Sequence, residues 1–228
     1  LSEEDKVLFQ SVARVVLVDT AETLREQVER RYAPRRLPPP LQIVAEPDPD
    51  SPVPLARRER VFDNGWGGFT ADGREYLIRL SPGRVPPAPW VNVIASPHVG
   101  TVVSERGSMY TWAGNAHEFR LTPWHNDPVS DPSGEAYYIR DDESGRFWSP
   151  MPAPASGACD TLCRHGFGYS VFEHRETGIT SEAWVFVAID APVKFVTVKV
   201  RNDSSRTRRL SLFSFNELVL GEWRHANL

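Results

Sequence analysis

The sequence predicts a mainly β protein, an antiparallel β-sandwich that follows an N-terminal helical segment. Three observations carry this prediction. From residue 60 onward, short runs of β-branched and aromatic residues alternate with turn residues such as Asp-Gly. The 228 residues include 20 prolines and 15 glycines, a content that favours turns and strands over a helical bundle. Finally, 40% of the residues are hydrophobic and 11% are aromatic, which suffices to bury a sizeable core.

The first 59 residues are expected to lie outside the sandwich. Residues 1–33 are predicted to form a helical connector, because apolar residues recur at helical spacing after Ser2, a favourable N-cap residue. Residues 34–59 are predicted to form an extended linker, because eight prolines interrupt this segment and Pro is excluded from helices and central strands. The sandwich domain is predicted to span residues 60–228.

The sandwich is predicted to be a series of β-hairpins. In each hairpin two β-rich runs flank a turn signal, and the Asp-Gly pair at residues 72–73 is the strongest of these signals. The predicted pairs of runs are 68–71 with 74–80, 101–104 with 109–112, 135–140 with 146–148, 168–174 with 182–187, and 193–201 with 208–215. Consecutive hairpins form an antiparallel meander, and this many strands must curl or stack, so we expect two packed layers.

The last predicted hairpin indicates how its two strands are covered. Val196, Val198 and Val200 alternate with polar residues, as expected of a strand with one face in water. Between residues 210 and 215, by contrast, apolar side chains occupy both faces, which predicts a strand that is covered on both sides.

Composition excludes several classes of function. A net charge of −4 is too mild for a nucleic-acid-binding stripe, so no nucleic-acid partner is expected. The longest apolar runs are far shorter than the roughly 20 residues of a membrane helix. The first residues lack the basic and apolar regions of a signal peptide. Two cysteines are too few for a disulfide framework, which favours a reducing compartment. We therefore expect a soluble, cytoplasmic fragment of a longer protein.

Cys159, Cys163 and His165 are the candidate metal ligands of the sequence. A structural zinc site needs four ligands, commonly in two pairs, and these three residues lie in one stretch without an obvious fourth. Free cysteines are the expected state, and neither a metal nor a resident cofactor is predicted.

Two sets of carboxylates could be considered for glycoside catalysis, but a structural role in turns explains both sets better. Such chemistry needs two carboxyl groups that flank the bond, or one acid together with an external nucleophile. Asp127 and Asp131 lie among prolines in a predicted loop, and residues 141–143 form an acidic run in a predicted hairpin turn. Both sets are expected to be turn residues, with the acidic run in solvent.

Tryptophan is the most informative residue type. Five of the seven tryptophans fall between residues 66 and 148, among Asn, Asp, Arg and His. Aromatic faces beside planar polar groups suit sugars, whose CH-rich faces stack while their hydroxyls form hydrogen bonds. The alternative is that the rings anchor the core and loops, which is favoured for Trp90 and Trp148 because proline lies close to each. For Trp112 and Trp124 both interpretations stay open.

Several strings resemble the cellobiose-phosphorylase family of glycoside hydrolases. They are residues 64–76 (NGWGGFTADGREY), 87–94 (PAPWVNVI), 110–112 (YTW), 120–136 (RLTPWHNDPVSDPSGEA), 164–169 (RHGFGY) and 208–211 (RRLS). Within that family the chain is most similar to the phosphorylase-like region of the cyclic β-1,2-glucan synthases. The resemblance covers residues 60–222 and leaves residues 1–54 outside it.

The resemblance implies a β-supersandwich related to galactose mutarotase, followed in the full enzyme by a linker helix and an (α/α)6 barrel. The barrel holds the family's general acid and its phosphate-binding groups, and inorganic phosphate is the co-substrate of an inverting reaction. Without the barrel, this chain is expected to be inactive. In a parent enzyme, which can be associated with the inner membrane, its implied role is to pack on the barrel and to contact a β-glucan oligosaccharide. In some relatives this contact is made across a homodimer.

The resemblance also indicates which residues contact sugar. In such phosphorylases a sandwich loop reaches the acceptor side of the active site, and the matching segment here is residues 110–127. The candidate carbohydrate-binding residues are Trp112, Arg120, Thr122, Trp124, Asn126 and Asp127. For Arg120 the alternative is an ion pair with Asp127 or Asp131 that braces the loop. For the whole chain the alternatives are a freestanding carbohydrate-binding module and a structural spacer.

Overall fold

The computed structural model describes residues 2, 5–6, 23–29 and 55–219. The chain divides into two units, which are described separately. In the smaller unit the described residues include helix α1 (Leu24–Glu29), whose first turn is closed by a hydrogen bond from the Gln27 amide to the Thr23 carbonyl. Most of the predicted connector 1–33, and residues 34–54 of the predicted linker, lie outside the described residues.

The larger unit is built from antiparallel strands in three sheets. The strands are β1 (Gly67–Phe69), β2 (Glu75–Leu80), β3 (Val91–Ala95), β4 (Val99–Ser104), β5 (Met109–Ala113), β6 (Glu135–Asp141), β7 (Phe147–Trp148), β8 (Thr161–Gly166), β9 (Tyr169–Glu176), β10 (Ile179–Val187), β11 (Lys194–Asn202) and β12 (Leu210–Asn216). Sheet A has the order β1-β2-β8-β9-β10-β11, sheet B the order β3-β4-β5, and sheet C the order β12-β6-β7. No described helix is long and apolar enough to cross a membrane.

Four of the predicted hairpins are confirmed, because β1 pairs with β2, β4 with β5, β6 with β7, and β9 with β10. Their turns have the chemistry that the sequence indicated. Gly73 and Gly178 adopt φ values of +68° and +75°, in the left-handed region where residues with a Cβ are strained.

The fifth predicted hairpin is wrong. β11 pairs with β10 in sheet A, whereas β12 pairs with β6 in sheet C, so the chain crosses between sheets after residue 202. A buried ion pair holds the chain at this crossing: Arg208 Nη2 lies 2.5 Å from Asp141 Oδ2, and Arg208 Nη1 donates to the Thr177 carbonyl at 2.7 Å. Asp141 is therefore buried, contrary to the predicted solvated turn. The predicted cover on both sides of β12 is also wrong, since most of its side chains are exposed.

Most of the hydrophobic core lies on one face of sheet A, and a small cluster of Leu55, Leu77 and Leu162 covers part of the other face. The main cluster combines residues of sheets A and B, among them Ile78, Phe172, Val185, Ile94 and Val103. A second cluster brings Ile139 and Trp148 of sheet C against Ile179 of sheet A. Sheets B and C thus share one layer and sheet A forms the other, which confirms the predicted sandwich. The core interpretation of Trp148 is confirmed as well.

Candidate functional site

A cavity of about 200 Å³ opens between sheet B and the loop of residues 114–134, which we call the aromatic loop. The sheet contributes Val91 and Tyr110 to its wall, and the loop contributes Trp124, Asn126 and Asp127. Three of the six predicted carbohydrate-binding residues therefore line one cavity. The aromatic loop holds its position because it runs beside β5, where the Leu121 amide donates to the Thr111 carbonyl at 2.8 Å.

Two aromatic rings stack at this cavity. The rings of Tyr110 and Trp124 lie with centroids 5.3 Å apart and planes only 6° from parallel. Tyr110 is buried, whereas Trp124 is 50% exposed. Burial raises the pKa of the Tyr110 hydroxyl, an effect that the nearby Arg120 charge opposes. One face of the Trp124 indole thus rests on Tyr110, and the opposite face remains accessible to a ligand.

Trp112 belongs to the support of this stack rather than to its surface. Its side chain is only 9% exposed, and its ring centroid lies 5.3 Å from that of Tyr110. The indole packs directly on Gly100 of β4, where any Cβ would collide with it. Because its neighbours enclose it, Trp112 can fix the position of Tyr110 but offers little area to a sugar.

Arg120 lies beside β5, where it forms an isolated bridge with Trp112. Its Nε donates to the Ala116 carbonyl at 3.2 Å. Among the residues that the structure describes, no carboxylate lies within ion-pair distance of its guanidinium, so the alternative pairing with Asp127 or Asp131 does not form. Its terminal nitrogens Nη1 and Nη2 have no hydrogen-bond partner among the described residues, which leaves them free for a ligand.

Thr122 anchors the aromatic loop from within the protein. Its buried hydroxyl accepts a hydrogen bond from the Thr111 amide at 2.8 Å and donates to Glu135 Oε1 at 2.9 Å. Glu135 in turn binds Lys194 Nζ at 2.6 Å, and burial lowers the pKa of this lysine while the carboxylate opposes the shift. All three sheets meet in this network, and the Thr122 hydroxyl is already occupied.

Asp127 stabilises the turn that follows it. Its Oδ1 accepts hydrogen bonds from the amides of Val129 and Ser130, and its Oδ2 accepts one from the Ser130 hydroxyl. The Ser130 side chain is the main reason that the pKa of Asp127 is lowered. Asp127 is therefore ionised near neutral pH and unsuited to donate a proton, in agreement with its predicted role as a turn residue.

Asn126 completes the rim of the cavity. It adopts a φ of +50°, a left-handed conformation that Asn tolerates better than most residues. Its side chain is exposed and has no hydrogen-bond partner among the described residues. A carboxamide in this position can both donate to and accept from a sugar hydroxyl.

Glu105 is a titratable residue that the sequence did not single out. It follows β4, is almost fully buried, and accepts a hydrogen bond from the Trp90 amide at 2.7 Å. Burial raises its pKa to about 7, and the negative charge of Asp131 contributes to the rise. A glutamate before an Arg-Gly turn carries no sequence signal of burial, so only the fold reveals it.

The candidate metal ligands do not form a site. Cys163 and His165 lie on β8, and within the described part of the chain no group of three or more His, Cys, Asp or Glu side chains could hold a metal ion. His165 hydrogen-bonds Ser170 Oγ at 2.8 Å and the Trp90 carbonyl at 3.1 Å, and burial lowers its pKa to about 4. This histidine is therefore a neutral structural residue at physiological pH.

Comparison with known proteins gives a family match. Residues 74–227 match the glycosyl hydrolase 94 supersandwich domain. The chain is 39% identical over 187 residues to the cyclic β-(1,2)-glucan synthase NdvB of Rhizobium meliloti (strain 1021), an alignment that covers 81% of the chain and 6% of that protein.

Two phosphorylases show the same pattern. The N,N′-diacetylchitobiose phosphorylase of Vibrio proteolyticus is 32% identical over 155 residues, or 67% of the chain and 19% of the phosphorylase. The solabiose phosphorylase of Paenibacillus borealis is 32% identical over 168 residues, or 68% of the chain and 20% of the phosphorylase. The chain thus spans no more than 20% of the length of these relatives.

Proposed function

Because this chain belongs to the glycosyl hydrolase 94 supersandwich domain family, we propose that it packs on the catalytic domain of a longer β-glucan-processing enzyme and contributes contacts to the sugar. The relatives are larger chains in which this chain matches one domain. The proposed parent is a cyclic β-1,2-glucan synthase or a related inverting phosphorylase. In it the barrel supplies the general acid and binds the phosphate co-substrate, so the sandwich needs no catalytic group.

The proposal rests on one observation: the Trp124 side chain is half exposed. Its other face rests on Tyr110, so the indole is held in one orientation before a ligand arrives. A preorganised aromatic face suits the CH-rich face of a pyranose ring, because stacking then requires little loss of side-chain freedom. The cavity beside it, about 200 Å³, is smaller than the roughly 300 Å³ at which drug-sized sites begin, and so fits about one sugar unit.

Two polar side chains of the aromatic loop can supply the hydrogen bonds that sugar hydroxyls need. Arg120 has free terminal nitrogens, and a guanidinium can bridge two adjacent hydroxyls with parallel donors. Asn126 on the cavity rim adds a donor and an acceptor. In the proposed complex these groups contact the acceptor side of a β-glucan chain, while Trp112 and Thr122 hold the loop.

An apolar groove supports packing on a second domain rather than the freestanding module. It has a volume of about 560 Å³ and is lined by Ile94, Pro97, Phe167, Phe186 and Ile189. Phe167 is 85% exposed, and a free module gains nothing from leaving so large an apolar side chain in water. We propose that the barrel covers this groove in the parent enzyme.

The proposed compartment is the reducing cytoplasm. Its support is that Cys159 and Cys163 are both free thiols. Alkylation of protein denatured at the moment of cell lysis tests this proposal, since both thiols should react without prior reduction. A disulfide at either cysteine would contradict it.

The sugar site is tested by Trp124→Ala and Arg120→Ala. We expect each to weaken the binding of β-linked gluco-oligosaccharides about tenfold, measured by titration calorimetry on the chain and as the acceptor KM of the complete enzyme. Trp124→Phe should retain most of the affinity, because it keeps an aromatic face. Phe147→Ala is the matched control, since it removes a half-exposed ring that lines neither the cavity nor the apolar groove and should leave sugar binding unchanged.

Thermal unfolding of the same variants separates the proposed role from a bracing role. If Arg120 contacts sugar, the melting temperature of Arg120→Ala stays close to that of the unaltered chain, whereas Trp124→Ala also loses its stacking on Tyr110 and is expected to melt at a somewhat lower temperature. Normal acceptor kinetics combined with a lowered melting temperature would instead show that the two side chains only brace the loop.

A further inference from the structure

A small cavity lies where three loops of the larger unit meet. The segment after β2 contributes Ser81 and Arg84, the β4–β5 turn contributes Arg106, and the segment before β8 contributes Ser156 and Cys159. The cavity has a volume of about 140 Å³, and it shares no lining residue with the cavity of the aromatic loop or with the apolar groove. We call it the arginine pocket, and the proposed sugar site makes no use of it.

The wall of the arginine pocket is positively charged. Among the described residues that line it, the charged ones are Arg84 and Arg106, and no described carboxylate lies within ion-pair distance of either guanidinium. Arg79, Arg164 and Arg208, by contrast, each bind a carboxylate at 3.4 Å or less. Two like charges that share a cavity without a counter-ion repel each other, so both stabilise an anion that enters it.

Both guanidiniums are held by contacts that leave most of their N–H groups available. The guanidinium carbon of Arg84 lies 4.5 Å from the centroid of the Trp66 ring, a contact that uses the flat face of the group and none of its N–H donors. Arg106 donates one hydrogen bond, from Nη1 to the Ser130 carbonyl at 3.2 Å. The other side-chain N–H groups of these two arginines have no partner in the described ranges. The forked geometry of such donors matches the oxygens of a phosphate.

The hydroxyls and the volume of the pocket restrict the ligand further. Ser81 and Ser156 have hydroxyls without a hydrogen-bond partner among the described residues, so each can donate to a ligand oxygen. The volume of about 140 Å³ is close to that of an engineered cavity of about 150 Å³ that holds one benzene molecule. The arginine pocket therefore accommodates one small group and is too small for a glucan chain.

The acidic groups near the pocket do not oppose an anion. Burial, together with the charges of Glu176 and Asp160, raises the pKa of the Cys159 thiol, which therefore stays neutral at about pH 7. The two carboxylates themselves have partners. Asp160 lies 3.4 Å from Arg79, and Glu176 accepts a hydrogen bond from the Ala158 amide at 2.8 Å.

We propose that the arginine pocket binds a phosphoryl group, either as inorganic phosphate or as the phosphate of a small ester whose organic part extends into solvent. A phosphoryl group brings about 1.5 to 2 negative charges at pH 7 and three acceptor oxygens, which suit two guanidiniums and two hydroxyls. A carboxylate brings one charge and two oxygens and should bind more weakly. The inference does not depend on the sugar site, and neither fails with the other.

Calorimetric titration of the chain with inorganic phosphate at constant ionic strength tests the proposal. We expect saturable binding of one phosphate, weakened at least about tenfold by Arg84→Ala and by Arg106→Ala. Because Arg84 is exposed, its variant should fold even if Arg106→Ala does not. Arg74→Ala is the matched control: this side chain is 80% exposed on the β1–β2 turn, outside the pocket, and its loss should leave the phosphate affinity unchanged.

Two other ligands define the chemistry that the pocket recognises. Acetate should bind at least about tenfold more weakly than phosphate, because it carries less charge and fewer oxygens. Glucose 1-phosphate separates the two sources of the phosphoryl group. If it binds more tightly than inorganic phosphate, the ligand is an ester, and the reverse order identifies the free anion.

Alkylation of Cys159 shows where the anion binds. Cys159 is partly exposed and Cys163 is buried, so iodoacetamide should label Cys159 alone in the native chain. Saturating phosphate should slow this labelling severalfold, and Arg84→Ala should abolish the protection. Four outcomes would each overturn the proposal: binding that does not saturate, an equal loss of affinity in Arg74→Ala, equal affinities for acetate and phosphate, or labelling of Cys159 that phosphate leaves unchanged.

Discussion

Glu105→Gln is expected to stabilise the protein at about pH 8 and to change its stability little near pH 4.5. Gln keeps an acceptor for the Trp90 amide but removes the buried charge. Burial raises the pKa of Glu105 from 4.5 to about 7, a difference of 2.5 units. At about 1.4 kcal/mol for each unit, the gain in unfolding free energy at high pH is of order 3 kcal/mol.

The sign follows from the protons that each state binds. Between pH 4.5 and about 7 the folded protein retains the Glu105 proton, whereas the unfolded chain has lost it. Because the unfolded state binds fewer protons, this residue makes the folded protein less stable as the pH rises through that window. Above the folded pKa both states are ionised and the loss stops increasing. The Gln variant lacks this loss.

Urea denaturation of both proteins across this pH range gives the difference in unfolding free energy directly. Asp127→Asn is a suitable control, because it removes an exposed carboxylate whose pKa is lowered rather than raised. It should leave the fall in stability between pH 5 and about pH 8 intact. Parallel profiles for the unaltered chain and Glu105→Gln would refute the assigned burial of this carboxyl group.

Three further predictions follow from the same packing and charge arguments. Gly100→Ala should lower the unfolding free energy by about 1–3 kcal/mol and weaken sugar binding, because an added Cβ collides with Trp112, which supports the stacked rings of Tyr110 and Trp124. Thermal melting measures the loss of stability, and titration calorimetry measures the loss of sugar affinity. Lys194→Met should destabilise the protein by about 3–5 kcal/mol because it leaves the Glu135 carboxylate buried without its cation. Adding Glu135→Gln should recover most of that loss. Equal losses of stability in the single and double variants would contradict this account. The chain alone should release no glucose 1-phosphate from β-glucans in phosphate buffer; turnover that survives purification and disappears in Asp127→Asn would overturn this expectation.

The hairpins could be predicted because their information is local. An Asp-Gly or Thr-Gly turn between two β-rich runs specifies its own pairing, as at Gly73 and Gly178. The partner of β12 could not be predicted in this way. That partner, β6, lies far away in the sequence: Arg208, just before β12, binds the Asp141 carboxylate 67 positions earlier, and no local pattern indicates that contact.

The candidate site likewise combines features that local sequence patterns could predict with features that depend on distant contacts. The concentration of tryptophans drew attention to the aromatic loop, and the structure places Trp124 and Asn126 on the wall of its cavity. Trp112 is buried against Gly100 of a neighbouring strand, and Thr122 is buried against Glu135. Because both contacts are distant in the sequence, the sequence could not show whether these two residues lie on the surface or in the core. The Nη1 and Nη2 atoms of Arg120 lack a partner among the described residues because the Asp127 carboxylate binds Val129 and Ser130 instead, which the sequence could not indicate.

The distant pairing of β6 with β12 has a consequence for the order of folding. Hairpins such as β9–β10 close short loops and can form early, whereas sheet C must wait for segments as far apart as Asp141 and Leu210 to meet. Pulse-labelled hydrogen exchange should therefore show amides of the β9–β10 hairpin protected before those of β12. During that interval the uncharged, largely apolar segment β12 has no partner and can aggregate with other chains. The yield of refolded protein should therefore fall as protein concentration rises. A nascent chain meets the same hazard from the moment β12 is synthesised until β12 has paired with β6.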